Sequence, residues 1–148
     1  MKILLIHQFF LEEDDAGGSR FNEMARIWTD MGHEVTVLSG MVHYAESEKR
    51  PEYRGKRFYH RMHGKVSVWR CNVSGGYNIN FLKRLWAYFA FVFSSLRVGL
   101  FKLKGKYDLI LVTSPPLFVG ITAYILSKVK RIPFVFEIRD LWTESAVD

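Results

Sequence analysis

Five short stretches of this chain carry groups suited to chemistry: His7, the Gly17-Gly18-Ser19-Arg20 turn, Ser39, the Thr113-Ser114-Pro115-Pro116 segment, and residues 137–144 with Glu137, Arg139, Asp140 and Glu144. Imidazole and carboxylate groups transfer protons, hydroxyls orient a substrate, and arginine holds an anion through a planar fork of N–H groups. A glycine pair that opens a helix leaves free amides at the positive end of the helix dipole, where a phosphate is stabilised. The same pair also serves as an ordinary turn.

These stretches matter because of the elements that precede them. Residues 3–6 are continuously apolar, as expected of a strand covered on both faces, and so of a central one. Phe21, Met24, Ala25, Trp28 and Met31 recur at spacings of three and four, which is an amphipathic helix. Gly32 stands where a left-handed terminator is wanted, and the β-branched run 34–39 follows at once. This strand, helix, strand unit implies parallel pairing. Residues 40–64 are polar and lack either period, so they read as a long loop or a pair of weak elements. Residues 66–69 form a short strand, 81–103 one long helix, and 109–112 another buried strand. Ser114 is expected to cap a helix that starts at Pro115 and runs to about residue 131, and residues 134–138 make the last strand. Strands alternating with helices give a doubly wound, Rossmann-like α/β domain, in which ligands bind beyond the carboxyl ends of the strands, where the five stretches fall.

Composition is consistent with one such domain. Of 148 residues 49% are apolar and 24% charged, which excludes disordered and collagen-like chains. The single cysteine, Cys71, cannot form an internal disulfide, and His7 and Gln8 interrupt the opening apolar run before any cleavage site. A cytoplasmic chain without a signal peptide is expected. A nicotinamide or flavin cofactor fits poorly, since there is no GxGxxG and no acid at residues 37–40 to hold a ribose. GxxxxGK and Asp-x-Asp are absent too. The acidic run Glu12 to Asp15 reads as a solvated loop rather than a cation site, and His43, His60 and His63, in or near a mobile basic loop, lack companions at zinc spacing.

Charge is distributed unevenly. Twelve Lys or Arg residues and no Asp or Glu lie between Tyr53 and Tyr107, so the formal +6 of the whole leaves −6 for the remainder. A basic face of this kind attracts phosphate groups of nucleic acid, anionic lipid or a phosphorylated substrate. Within it, residues 85–93 are apolar all round but too short a run to span a bilayer. Two readings follow: a core helix, or a helix lying in a membrane interface through Trp86 and its neighbours, with Lys83 and Arg84 at one end and Arg97, Lys102, Lys104 and Lys106 at the other. No RNA or DNA motif accompanies the basic face, and nucleic acid is not the expected partner; the alternative reading from this face alone is a non-enzymatic module that binds anionic lipid or nucleic acid.

The segments GGSRFNEMARIWTDMGHEVTVLSG, YRGKRFY and YDLILVTSPPLFVGITAYILSKVKRIPFVFEIRDLWTES together resemble the amino-terminal half of glycosyltransferase family 4 enzymes, especially the bacterial fucosaminyl- and colanic-acid-type transferases that assemble surface polysaccharides. The resemblance covers nearly the whole chain. It implies the GT-B fold, in which two Rossmann-like domains face a cleft, the first binding the acceptor and the second a nucleotide sugar. It further implies a retaining, metal-independent reaction with no cofactor besides the nucleotide-sugar cosubstrate. Gly17 and Gly18 would approach the donor diphosphate; Ser114 of SPP and Arg139 and Glu144 of RDLWTES would line the acceptor side, and His7 and Arg20 complete the substrate-binding set. The basic aromatic helix would lie on the inner face of the cell membrane, which carries a lipid-linked saccharide. Many family members place a histidine where this chain has Arg139 and Asp140, so the acceptor proton is assigned to Asp140. The acidic nucleotide-sugar motif of the second domain is missing from these residues, which reads as a truncated chain spanning residues 1–148.

Overall fold

The computed structural model describes residues 1–15, 18–42, 49–76, 79–114 and 116–139. Its elements are β1 (Lys2–Ile6), α1 (Arg20–Asp30), β2 (Glu34–Gly40), a 3-10 turn (Pro51–Tyr53), β3 (Phe58–His63), β4 (Val66–Cys71), α2 (Phe81–Phe101), β5 (Leu109–Thr113), α3 (Val119–Lys130) and β6 (Phe134–Glu137). The strands form one sheet in the order β3-β4-β2-β1-β5-β6. All neighbouring pairs are parallel except β3 with β4.

The continuous apolar run of β1 places it centrally, with Leu4 beside Thr36 of β2 on one side and Ile110 of β5 on the other. Alternate residues then feed two cores. Leu5 joins Phe21 and Ala25 of α1 with Val35, Val37, Val66 and Val68 on one face. Leu4 and Ile6 join Phe91 and Val98 of α2, Ala123 and Leu126 of α3, and Cys71 on the other. Each such large side chain taken out of water contributes about 1.5–3 kcal/mol. The sheet is therefore doubly wound, and the chain reverses direction across it at β1, leaving a crevice beyond the carboxyl ends of β1 and β5.

Two helix boundaries follow from backbone geometry. Gly32, at φ +92°, ends α1 in the left-handed region, as its position in the sequence predicts. Gly99 lets α2 approach α3: a β-carbon there would lie 2.7 Å from Leu126 Cδ1, and beside it Ser95 Oγ and Thr122 Oγ1 share a buried hydrogen bond of 2.9 Å.

Of the two readings of residues 40–64, the described part matches the pair of weak elements. The 3-10 turn and β3 lie within them, and β3 forms the antiparallel edge of the sheet, with Tyr59 opposite Arg70 and His63 opposite Val66. Its side chains are mostly exposed, so its sequence shows no apolar alternation. His60 and His63 accordingly belong to a strand rather than to a mobile loop.

Candidate functional site

The carboxyl ends of β1, β5 and β6 bring three of the expected residues together around one ring. Phe21, the second residue of α1, is fully buried. The His7 imidazole, just past β1, lies 5.1 Å from its centroid, and the guanidinium groups of Arg20 and Arg139 lie 4.7 Å and 5.9 Å from it. Cation and ring attract through the ring quadrupole, by about 0.5–1 kcal/mol at exposed sites. Arg20 also forms an ion pair with Glu137, the last residue of β6. Gly18 precedes Ser19, whose side chain makes no bond at the start of α1. Phe21 was missed at the level of sequence because it fits the apolar stripe of α1 like any core residue.

Ser114 has a different task from the one expected. Its Oγ accepts from the backbone N–H of Arg139 at 2.8 Å, and its own N–H donates to the Glu137 carbonyl at 3.1 Å. The β5–β6 pairing thus extends past both strands and engages the hydroxyl, so Ser114 does not cap a helix. Instead α3 begins at Val119 after a turn at Pro116, Leu117 and Phe118, without a side-chain cap. The bond fixes Arg139 in place. Gly17, Asp140 and Glu144 lie outside the described residues.

A second polar cluster, absent from the sequence reading, supports the loop between β1 and α1. Glu12 is not solvated: it is 8% exposed, and Arg70 of β4 is 2% exposed. Arg70 Nε lies 3.0 Å from Glu12 Oε1, His63 Nε2 lies 3.4 Å from Oε2, and the Tyr53 hydroxyl donates to the same carboxylate. The rest of the Arg70 guanidinium donates to the carbonyls of Phe10, Leu11 and Gly40 and to Ser39 Oγ, which ties the ends of β1, β2 and β4 together. Ser39 in turn donates to the Gln8 carbonyl, so it serves this brace. Burial alone would raise the Glu12 pKa, but the bond with His63, the charge of Arg70 and the Tyr53 hydroxyl outweigh it and hold the carboxyl at about 2. Asp14 and Asp15 both pair with Arg50. A signal was present: Arg70 shares the face of Val66 and Val68, and a charge at an apolar position of a strand calls for a buried partner. Among the described residues no three His, Cys, Asp or Glu side chains could hold a metal ion together.

The long helix packs one face into the core and leaves the other exposed. Ala87, Tyr88, Phe91 and Val92 are buried, whereas Leu82, Trp86, Phe93 and Phe101 are 61–74% exposed as a group with Phe81, and Lys83, Arg84, Arg97 and Lys102 are exposed with them. A groove of about 980 Å³ runs between α2 and the strand edge, lined by Arg57, Phe58, Trp86, Phe93, Arg97 and Lys102 among others. Lys102 Nζ sits 4.8 Å from the Phe58 ring centroid. No described helix is long and apolar enough to cross a membrane.

The profile of the glycosyl transferase 4-like domain matches residues 16–148. A protein of Escherichia coli (strain K12) named for colanic acid biosynthesis glycosyl transfer, WcaI, is 29% identical over 140 residues, which is 95% of this chain and 34% of that protein. The chain thus spans about a third of the length of the curated relative it matches.

Proposed function

Since the chain belongs to the glycosyl transferase 4-like family, we propose that it is the acceptor-binding part of a retaining, metal-independent glycosyltransferase. In this reading it moves a sugar from a nucleotide sugar to a lipid-linked saccharide in surface-polysaccharide assembly. The observation that carries the reading is the gathering of His7, Arg20, Ser114 and Arg139 at the carboxyl ends of β1, β5 and β6. A second domain binds the nucleotide sugar across the cleft. The acceptor hydroxyl bonds to the anomeric carbon as the bond to the donor diphosphate breaks, and Asp140 takes or orients the hydroxyl proton. Gly17 and Gly18 stabilise charge on the departing diphosphate through their amides. Catalysis of this kind depends on positioning both substrates, so the 148-residue chain alone should fold, bind a prenyl-diphosphate-linked saccharide and transfer no sugar. Transfer from a radiolabelled nucleotide sugar by the purified chain would overturn the division of labour.

The exposed face of α2 supports attachment at the inner face of the cell membrane. Aromatic side chains seat at the headgroup boundary, and each nearby Lys or Arg contributes about 1 kcal/mol on an anionic surface. Reversing Lys83, Arg84 and Lys102 to Glu should weaken binding to phosphatidylserine-containing vesicles by roughly tenfold or more, and salt should weaken binding of the unaltered chain. Equal vesicle binding by both forms would remove the membrane from the reading.

A further inference from the structure

Arg20 and Arg139 lie 119 residues apart in the chain yet place their guanidinium groups against one ring. Two like charges gathered at one ring favour an anion beside them. Among the described residues the compensating carboxylate is Glu137, which pairs with Arg20, while the Arg139 guanidinium has no carboxylate partner. The set carries two positive charges and one negative. Glu137 also differs from Glu12, another paired acid of the described residues. Glu12 is buried and held by Arg70, His63 and Tyr53, whereas Glu137 and Arg20 have side chains 34% and 55% exposed and, among the described residues, form a simple pair. An exposed pair of this kind is screened by water and readily exchanged. The buried Phe21 ring is a fixed platform, and an arginine fork matches two phosphate oxygens as well as it matches a carboxylate.

The geometry points to Glu137 as an internal stand-in for a substrate phosphate: its carboxylate occupies Arg20 in the free chain, and a phosphate or diphosphate group displaces it to bridge Arg20 and Arg139. This rests on reading this end of the sheet as the substrate site. The phosphate belongs either to the lipid-linked acceptor or to the nucleotide-sugar donor. Displacement moves Glu137 away from the guanidinium without breaking any covalent bond, and the ligand gains the second cation that Glu137 does not pair.

Calorimetric titration of the chain with inorganic pyrophosphate at low salt tests the exchange. Glu137→Gln keeps shape and removes the competing charge, so it should bind pyrophosphate roughly tenfold more tightly. Arg20→Gln and Arg139→Gln should each bind it roughly tenfold more weakly or worse. Melting temperatures measured alongside identify any variant that has lost its fold; unchanged or weaker binding by folded Glu137→Gln, or unchanged binding by folded Arg139→Gln, would overturn the proposal. Repeating the titrations with geranyl diphosphate and uridine diphosphate separates the sources. A larger gain in Glu137→Gln with the prenyl compound assigns the phosphate to the acceptor, and a larger gain with the nucleotide assigns it to the donor. The expected pyrophosphate pattern without any sugar transfer by the enzyme would defeat the transferase reading and leave this one standing. Transfer with pyrophosphate binding indifferent to Glu137 would do the reverse.

Discussion

Replacing Arg70 by Met is expected to cost about 3–5 kcal/mol of folding stability, the usual scale for removing one partner of a buried ion pair. The loss exceeds that of the contacts themselves, because Glu12 remains buried without its cation and the Phe10, Leu11 and Gly40 carbonyls each lose one donor. For a chain of this size the melting temperature should fall by roughly 10 °C or more. The double variant Glu12→Gln, Arg70→Met should lose less than the sum of the single variants, since no buried charge is left behind. Urea denaturation of the four forms measures both quantities. Acid gives an independent reading of the same cluster. Glu12 titrates at about 2 in the folded chain and at 4.5 when unperturbed, so the unfolded chain binds its proton first as pH falls. The stability from this group is therefore full above pH 4.5 and lost progressively toward pH 2, on the order of 3 kcal/mol in all. In Arg70→Met that acid-sensitive contribution should shrink. Stability at neutral pH within about 1 kcal/mol of the original would show that the cluster contributes little.

The largest effect on catalysis is expected at Asp140. In the enzyme that combines this chain with a donor-binding domain, Asp140→Asn should lower turnover by roughly a hundredfold or more, the scale of general acid–base catalysis, with the fold intact. The substitution keeps the shape of the side chain and removes its charge. The residue before it is already fixed, since the Arg139 N–H donates to Ser114 Oγ, and Ser114→Ala should loosen that segment without removing any ionisable group. A role for Asp140 at a helix start predicts near-normal turnover instead, because Asn caps a helix about as well as Asp. Turnover unaffected by Asp140→Asn would move the proton acceptor to His7 or Glu144.

The parts of the fold that were legible in the sequence are those whose pattern is set by burial. β1 and β5 lie inside the sheet and carry continuous apolar runs, β2 carries a β-branched one, and the stripe of α1 ends at a glycine that needs a positive φ. β3 was hidden because an edge strand rich in Arg and His avoids the apolar alternation that would reveal it. The start of α3 was misplaced because Ser114, although a good capping residue, found a partner on a neighbouring strand. That the chemistry-bearing stretches fall beyond the carboxyl ends of the strands was legible from the alternation of strands and helices. What joins them was not, since the Phe21 ring, the Glu137 pair and the Glu12–Arg70 brace are contacts between residues far apart in the chain.

Cys71, at the end of β4 beside Arg70, is fully buried in the core under α2 and α3, and burial pushes its thiol far above the usual range. The thiolate is the reacting form, so the native chain should resist alkylation and oxidation at this atom. Being the sole thiol, it reports on one event only, the momentary opening of the sheet at the brace. The rate at which an alkylating reagent consumes it, followed by mass, would measure the free energy of that opening in the unaltered chain under native conditions. The same rate should rise steeply once Arg70 no longer holds the strand ends together.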